Sequence, residues 1–354
     1  MLNLNARWKM TVRLRFTWRF LFWPLLTLFL FSASPASGQG LGVQKGRKRI
    51  DTWLVLHDEK GFQRIEKYAD ILNSLSVAGN PSKEFIRHCH RLHIEVYHLA
   101  SGKGSAVDTP AHRRATVNQF VHECQVKNYD GIDLDFEHLD PSLQSAYSDF
   151  LRQISAALHK IGKKLSICVD TYPTPEWTTP EGQFYDPKVV GETCDLVRVM
   201  CYDEYWAPGW TWKGRKTKNQ PYPPGIGPTS GYHWARAGMQ FWLKYVPREK
   251  LVMGLPAYSN DYALGPHGSG KQVYAARPQF QGPVEKFWLW YERLPMYLYT
   301  EDGVPHIFYA SDTESTKAQL ETVDELDLPS IGFWHFSSVD DATWAAVKAW
   351  LKNK

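Results

Sequence analysis

Strand-like and helix-like runs alternate eight times along this chain of 354 residues. The strand-like runs are short and rich in apolar and β-branched residues, which is typical of parallel strands buried on both faces. They are Ile50–His57, Asp70–Val77, Leu92–Leu99, Tyr129–Glu137, Lys164–Thr171, Asp195–Asp203, Lys250–Tyr258 and Ser330–Phe336. Because eight strand–helix pairs usually take ~250 residues, the alternation predicts an α/β fold with a single (β/α)8 (TIM) barrel.

The helical runs carry clear boundary signals. The clearest helix is predicted over Asp140–Ile161, where Asp140 can cap the first turn, Pro141 suits its first position and Gly162 ends it. The residues beyond those of a minimal barrel fall mainly in two segments, Glu204–Ser230 and Ser259–His306, which we expect to be loops. No repeat or linker indicates a second domain, so one domain is predicted for residues 39–354.

The first 38 residues have the composition of a secretory signal peptide. Five cations and no acids precede an almost wholly apolar run at Phe20–Phe31, and small residues follow at 32–38. The apolar run is shorter than the ~20 residues that a membrane span needs, so stable membrane insertion is not expected. We therefore predict export with cleavage near Gly38, and an uncleaved anchor is the alternative.

The net charge of +4 comes from this leader, since the rest of the chain has 36 Lys and Arg residues against 37 Asp and Glu residues. A protein that binds nucleic acid through a basic surface is therefore not expected. Aromatic residues make up 14% of the chain, which suggests a stacking surface in addition to core packing.

Five cysteines cannot all pair within one chain, even if export makes disulfides possible. Cys124 falls on the apolar side of a helical pattern, and Cys168 and Cys201 fall in strand-like runs. These positions indicate buried free thiols. One bridge, between Cys89 and Cys124, stays open as an alternative.

The fourth strand-like run carries acids at alternate positions. Side chains on a strand alternate between its faces, so Asp133, Asp135 and Glu137 share one face. The residues between them are apolar and suit the helix layer, which predicts that the acids line the barrel interior and rise toward the catalytic mouth. Crowding and burial raise the pKa values of carboxyls, so Glu137 could stay protonated near neutral pH and act as a general acid.

Three other interpretations apply to acidic patterns of this kind. A solvated edge strand does not suit the apolar alternate positions. A calcium loop needs glycine at its sixth position, where counting from Asp133 finds His138. A divalent-metal site stays open as an alternative, although we assign no metal ligand and expect no cofactor.

The sequence resembles glycoside hydrolase family 18, the chitinase family. The family pattern Asp-x-x-Asp-x-Asp-x-Glu is matched by Asp130, Asp133, Asp135 and Glu137, and other family motifs are matched at Met200–Asp203, Lys250–Tyr258 and Gly332–Trp334. The resemblance spans roughly Ile50 to Leu351. Within the family, the residues of the second and third motifs are most similar to those of the di-N-acetylchitobiase branch.

Two departures from the family pattern bear on the cleft. The third strand ends in His98–Lys103 instead of the family's Ser-x-Gly-Gly turn, so the floor of the site can differ. We expect the large insertion domain of processive chitinases to be absent, since only Ser259–His306 occupies its place. A barrel without a large insertion domain implies a shallower cleft and shorter substrates.

The resemblance implies retaining hydrolysis in which the acetamido group of the substrate is the nucleophile, an exception to the two-carboxylate scheme. Glu137 would protonate the leaving oxygen. Asp135 would hold the acetamido N–H, and Asp133 would share a proton with Asp135. Tyr202 would hold the acetamido carbonyl, and Trp334 would lie under the cleaved sugar. The remaining substrate-binding residues would be Asp130, Met200, Asp203 and Tyr258.

Together with the leader, the resemblance implies an exported hydrolase acting on oligosaccharides or polysaccharides that contain β-linked N-acetylglucosamine, and we expect it to be a monomer. Five aromatic residues after the sixth strand could stack on sugar rings: Tyr205, Trp206, Trp210, Trp212 and Tyr222. The alternative from another class is a non-catalytic lectin on the same barrel. Since such relatives usually lose the catalytic glutamate, the presence of Glu137 favours the enzyme.

Overall fold

The computed structural model describes residues 48–55, 59–171, 184–215, 225–274, 280 and 282–354. The predicted signal peptide and its cleavage site lie outside these residues, as does Tyr222. Within the described ranges, no helix is both long and apolar enough to cross a membrane.

The strands in chain order are β1 (Arg49–Leu54), β2 (Ser74–Ala78), β3 (Glu95–Ser101), β4 (Gly131–Asp135), β5 (Lys164–Asp170), β6 (Leu196–Met200), β7 (Trp210–Thr211), β8 (Gly214–Arg215), β9 (Leu251–Pro256), β10 (Ser259–Ala263), β11 (Gly270–Val273), β12 (Val284–Leu289), β13 (Leu294–Glu301), β14 (Val304–Tyr309) and β15 (Ser330–Trp334). The α-helices are α1 (Glu59–Tyr68), α2 (Lys83–Arg91), α3 (Pro110–Lys127), α4 (Gln144–Lys160), α5 (Pro187–Thr193), α6 (Tyr232–Trp242), α7 (Thr313–Glu325) and α8 (Asp341–Lys352).

Eight parallel strands close into a barrel in the order β1-β15-β9-β6-β5-β4-β3-β2. Each corresponds to one of the eight predicted strands, so the (β/α)8 barrel is confirmed. The largest difference in bounds is at β2, which begins at Ser74 rather than Asp70. There Asn73 accepts a hydrogen bond from the Ile50 backbone N–H through its side chain and ends the preceding turn.

The helix predicted over Asp140–Ile161 is present as a 3₁₀ turn, Pro141–Leu143, followed by α4. The Asp140 carboxylate accepts the Ser142 backbone N–H, which satisfies a donor that the first turn leaves free. The buried face of α4 includes Tyr147, Phe150, Leu151, Ile154 and Leu158. These are apolar positions that the helical period predicts, and they join the core between the barrel and its helices.

The segment after β9, which we expected to be a loop, contains a five-stranded antiparallel sheet in the order β11-β10-β14-β13-β12. Its strands mix polar residues and prolines with aromatic ones, so they lack the continuous apolar runs of the barrel strands. A local signal was nevertheless present. Asp302 and Gly303 have φ values of 50° and 77° and join the paired residues Glu301 and Val304, as in a two-residue hairpin turn.

All five cysteines lie among the described residues, and all are buried free thiols. The expectation of free thiols is confirmed, and the alternative bridge between Cys89 and Cys124 is wrong. Cys89 packs in the apolar face of α2 and Cys124 in that of α3.

Candidate active site

The three acids of β4 form a gradient of exposure toward the carboxyl end of the barrel, the end where catalytic groups lie in this fold. Asp133 is completely buried. Asp135, the last residue of β4, is partly buried, and the Glu137 side chain is 44% exposed. The intervening Ile132 and Leu134 belong to the apolar core around the barrel. Strand alternation therefore places the acids where the sequence analysis expects them.

The environment makes Asp135 and Glu137 weak acids. Partial burial, the nearby charges of Glu137, Asp133 and Asp170, and a hydrogen bond to Glu137 raise the pKa of Asp135 to about 8. Partial burial followed by the charges of Asp170 and Asp203 raises the pKa of Glu137 to about 7, and the hydrogen bond from Asp135 opposes that rise. Protonated Asp135 thus donates to Glu137, and the two carboxyls hold protons at a pH where free ones would be ionised.

Asp170 is a site residue that the sequence analysis missed. It ends β5, beside the strand that carries the acids. Its charge contributes to the raised pKa values of Asp135, Glu137 and Asp203. The sequence did contain a signal for this residue. The alternate positions that face inward along the predicted strand are Ser166, Cys168 and Asp170, and the last of them is acidic.

Asp203 follows β6 in a left-handed backbone conformation with φ of 62°. Its Oδ1 accepts hydrogen bonds from Tyr258 Oη and Gln272 Nε2, each at 2.7 Å. Burial raises the pKa of Asp203 to about 6, although both hydrogen bonds oppose the shift. Gln272 belongs to β11, so the antiparallel sheet that replaces the expected loop supplies a contact to the site.

An aromatic wall stands beside the acids. The buried Tyr202 ring lies 6.0 Å from Trp53, 6.2 Å from Tyr258 and 6.5 Å from Trp334, measured between ring centroids. The Tyr202 and Trp334 planes are inclined by only 28°. Tyr202 belongs to the same buried cluster as Trp53 and Tyr258, and a buried tyrosine usually finds a hydrogen-bond partner for its hydroxyl. Trp53, which the sequence analysis did not single out, supports this wall from β1.

Two other predicted site residues, Met200 and Asp130, lie at opposite ends of the barrel. Met200 ends β6 and packs against the aromatic wall, as expected of a residue that shapes the pocket. Asp130 precedes β4 at the opposite end from the mouth, where its Oδ2 accepts the Val96 backbone N–H at 2.8 Å and contacts His90 Nε2 at 2.8 Å. Asp130 therefore joins α2, β3 and β4, and its assignment as a substrate-binding residue is corrected to a structural one.

The aromatic residues after β6 differ in exposure. Trp210 packs edge-on against Tyr262 at 5.4 Å, and Tyr205 lies against Gly227. The Trp206 and Trp212 side chains are 36% and 51% exposed and remain accessible to a sugar. In the described part of the chain, no group of three His, Cys, Asp or Glu side chains is arranged to hold a metal ion.

A closed (β/α)8 barrel with a carboxyl of raised pKa at its mouth, flanked by further acids and an aromatic wall, has the architecture of a glycosidase. Residues 98–338 match the family model of Glycosyl hydrolases family 18. The chain belongs to that family.

Individual relatives are distant. The chain is 23% identical over 265 residues to an uncharacterized glycosylase, YvbX, of Bacillus subtilis, an alignment that covers 67% of this chain and 69% of the relative. It is 26% identical over 242 residues to the cortical fragment-lytic enzyme of Bacillus subtilis, covering 66% of this chain and 52% of the relative. The chain thus spans about half the length of this second relative.

Among solved structures, a chitinase from Chromobacterium violaceum superposes with a TM-score of 0.72 at 22% identity, covering 85% of this chain and 98% of the other. At this identity the likeness supports the fold. Family membership and these relatives make the chain a glycosidase. They give no support to a place in the di-N-acetylchitobiase branch, which the residues of the second and third motifs resemble most.

Proposed function

We propose that this chain is an exported retaining glycosidase that cleaves β-linked N-acetylglucosaminides and uses the substrate's acetamido group as the nucleophile. The observation that carries the proposal is the hydrogen-bonded pair of Asp135 and Glu137, whose raised pKa values leave a protonated acid at the open end of the barrel. A general acid works best when its pKa lies near the working pH.

In the proposed reaction the Glu137 carboxyl donates its proton to the leaving glycosidic oxygen as the bond to the anomeric carbon breaks. The acetamido carbonyl oxygen forms the new bond to that carbon and gives a cyclic oxazolinium ion. Water then attacks the same carbon, whose bond to the acetamido oxygen breaks and restores the acetamido group. The Glu137 carboxylate accepts a proton from that water, and the two inversions together retain the configuration.

The neighbouring residues have separate roles in this scheme. Asp135 accepts the acetamido N–H and stabilises the positive ring. Tyr202, which packs in the aromatic wall beside the acids, donates from its hydroxyl to the acetamido carbonyl. Trp334 provides a flat apolar face for the sugar, since aromatic rings pack well against the C–H face of a pyranose.

Two glycans are candidate substrates. The name of the Chromobacterium violaceum structure indicates chitin, and that of the cortical fragment-lytic enzyme indicates cortical fragments. Both polymers carry the acetamido group that the proposed mechanism requires. The signal-like composition of residues 1–38 supports the proposal of export, and we propose that the exported protein acts as a monomer.

The test uses chain produced without residues 1–38. It is incubated with N-acetylglucosamine oligomers, N-glycans and muropeptides, and the products are read by mass. We expect cleavage of at least one set. An aryl N-acetylglucosaminide oligomer should react while the matching aryl glucoside does not, and an N-acetylglucosamine thiazoline should inhibit. Equal hydrolysis of the two aryl substrates would exclude acetamido participation.

Glu137→Gln separates the enzyme from the lectin alternative. The variant should bind oligosaccharide as the wild type does and lose turnover by roughly 10²–10⁴-fold, the usual contribution of a general acid. Tight binding by the wild type without cleavage across pH 5 to 8 would identify a lectin instead.

A further inference from the structure

Strand β11 brings the antiparallel sheet against the active site. The Gly268 carbonyl, just before the strand, accepts the Trp212 backbone N–H at 2.9 Å. A Cβ at Gly270 would lie 2.3 Å from the Ala207 carbonyl oxygen, so a side chain has no room there. The backbone of β11 therefore packs directly on the segment that follows β6 and Asp203.

The two faces of β11 have different contacts. On one face, Lys271 Nζ lies 3.3 Å from Asp261 Oδ2 of β10, and Val273 packs against apolar residues inside the antiparallel sheet. On the other face lie Gln272 and Tyr274, the residue that directly follows the strand, and both contact residues of the active site. Because side chains alternate along a strand, one face of β11 belongs to its own sheet and the other to the active site.

Gln272 fixes one oxygen of Asp203. Its Nε2 donates to Asp203 Oδ1 at 2.7 Å, and the same oxygen accepts the Tyr258 hydroxyl at 2.7 Å. Two donors at this distance give the carboxylate a defined orientation. Because the amide is neutral, it stabilises the Asp203 carboxylate without adding a charge to the site.

Tyr274 contacts the ends of two barrel strands. Its ring centroid lies 5.1 Å from that of Tyr258, which follows β9, and 5.7 Å from that of His335, which follows β15. Burial raises the pKa of Tyr274, and a hydrogen bond with Trp334 opposes that rise. Since an indole can only donate, the Trp334 N–H donates to the Tyr274 oxygen.

We propose that Gln272 and Tyr274 are positioning residues through which the antiparallel sheet orients the active site. Gln272 acts through Asp203, whose charge is one cause of the raised pKa of Glu137. Tyr274 acts through Trp334, which is proposed to lie under the sugar. Both roles rest on the proposed function, and they predict different kinetic effects, because one concerns the transferred proton and the other the bound sugar.

The first test measures kcat, KM and the pH profile of Gln272→Met, which keeps nearly the same length and has no amide donor. Without the donor the pKa of Asp203 rises and less negative charge faces Glu137 near neutral pH, so the pKa of Glu137 falls. We expect kcat to fall about two- to tenfold, with KM little changed. The alkaline limb of kcat should move to lower pH by a few tenths of a pH unit.

The titratable groups around Asp203 come from several elements. They are Glu137 after β4, Asp170 of β5, Tyr202 after β6, Tyr258 after β9 and Tyr274 after β11. Gln272→Met replaces none of them, so the lost donor is the change that the pH profile reports.

Two comparisons show whether Gln272 acts through Asp203. In an Asp203→Asn background, which has no charge to stabilise, Gln272→Met should move the limb no further. Lys271→Met, on the other face of β11, is the matched control and should keep the wild-type limb. An unmoved limb in Gln272→Met, a further shift in the Asp203→Asn background, or an equal shift in Lys271→Met would overturn the role of Gln272.

Tyr274→Phe should instead raise KM. The ring keeps its packing, but the Trp334 N–H loses its acceptor and the indole is less firmly held. Apolar packing on the sugar is present in the ground state and the transition state alike, so we expect KM to rise about two- to fivefold with kcat nearly unchanged. Val273→Ala, on the other face, should keep the wild-type KM. An unchanged KM in Tyr274→Phe, or a fall in kcat alone, would overturn the role of Tyr274.

The second test does not depend on activity. Urea unfolding is compared for Gln272→Met, Asp203→Ala and their double variant, and likewise for Tyr274→Phe and Trp334→Phe. Since residues in contact are coupled, each double variant should lose less free energy of unfolding than the two single losses added together. Additive losses would overturn the contacts. A wild type that binds oligosaccharide without cleaving it, with both couplings intact, would contradict only the proposed function.

Discussion

The hydroxyl of Tyr258 donates a hydrogen bond of 2.7 Å to Oδ1 of Asp203. The bond joins the loop after β9 to the residue that follows β6, and it opposes the rise in the pKa of Asp203 that burial causes. Because the charge of Asp203 is in turn one cause of the raised pKa of Glu137, this contact connects the pocket wall to the general acid.

Tyr258→Phe should therefore alter the pH dependence of the reaction. Without the hydroxyl, the pKa of Asp203 rises further and less negative charge faces Glu137 near neutral pH, so the pKa of Glu137 falls. We expect the alkaline limb of kcat to move to lower pH by a few tenths of a pH unit. Tyr262→Phe is the control, since its hydroxyl is bonded to the Gly227 carbonyl. A limb that moves to higher pH would contradict this linkage.

Tyr202→Phe should affect kcat more than KM. The proposed hydrogen bond to the acetamido carbonyl strengthens as that oxygen turns toward the anomeric carbon, so its loss belongs mainly to the transition state. A loss of roughly 1.5–3 kcal/mol corresponds to about ten- to a hundred-fold in kcat. Steady-state kinetics measure both constants, with Tyr147→Phe as a buried control outside the barrel. A change confined to KM would argue that Tyr202 only binds the ground state.

Gly254→Ala should disturb the aromatic wall. A Cβ at this position of β9 would lie 2.6 Å from the Val199 carbonyl oxygen, 3.0 Å from the Trp53 ring and 3.2 Å from the Tyr202 ring. Because the Val199 backbone cannot move away from the added methyl group, we expect a loss of about 1–3 kcal/mol in the free energy of unfolding, together with reduced turnover. Urea unfolding and kinetics measure the two effects.

Gly104→Ala is the matched control for that substitution. There the nearest atom is the terminal methyl of Leu143 at 2.8 Å, which can rotate away. We expect a change within about 0.5 kcal/mol. Equal losses in the two variants would contradict the packing argument for Gly254.

Glu204 links stability to pH. Burial, followed by the charge of Glu292, raises the pKa of Glu204 to about 8, while the Gly231 backbone N–H bonded to it at 2.7 Å opposes the shift. At pH values between the ordinary pKa of 4.5 and the raised pKa of about 8, the folded protein keeps a proton on Glu204 that the unfolded chain has lost. The contribution of Glu204 to the free energy of unfolding is therefore largest at low pH, and it decreases as the pH rises through this window.

Glu204→Gln should flatten that dependence by on the order of 1–3 kcal/mol between pH 5 and pH 8. Urea unfolding at several pH values measures the slope. Glu285→Gln, at an exposed position of β12, should keep the wild-type slope. An unchanged slope in Glu204→Gln would mean that the Glu204 carboxyl does not take up the proton on folding.

The sequence by itself determined the barrel and the direction of its acids. Period-two alternation is a local property, so the side chains of Asp133, Asp135 and Glu137 share a face whatever the rest of the chain does. The apolar strand runs and the caps of α4 are equally local. The antiparallel sheet was missed because its strands have no continuous apolar pattern, although the turn at Asp302 and Gly303 was visible in the sequence.

Only the tertiary structure decided which residues face those acids. Alternation shows that Arg198 and Asp170 point inward, but barrel closure and strand register bring Arg198 to Asp133 and Asp170 near Glu137. The same closure leaves Asp130 at the far end of β4 and brings Gln272 from an unexpected strand to Asp203. Electrostatic interactions and hydrogen bonds depend on distances across the fold, so neither the pKa values nor these partners could follow from spacing along the chain.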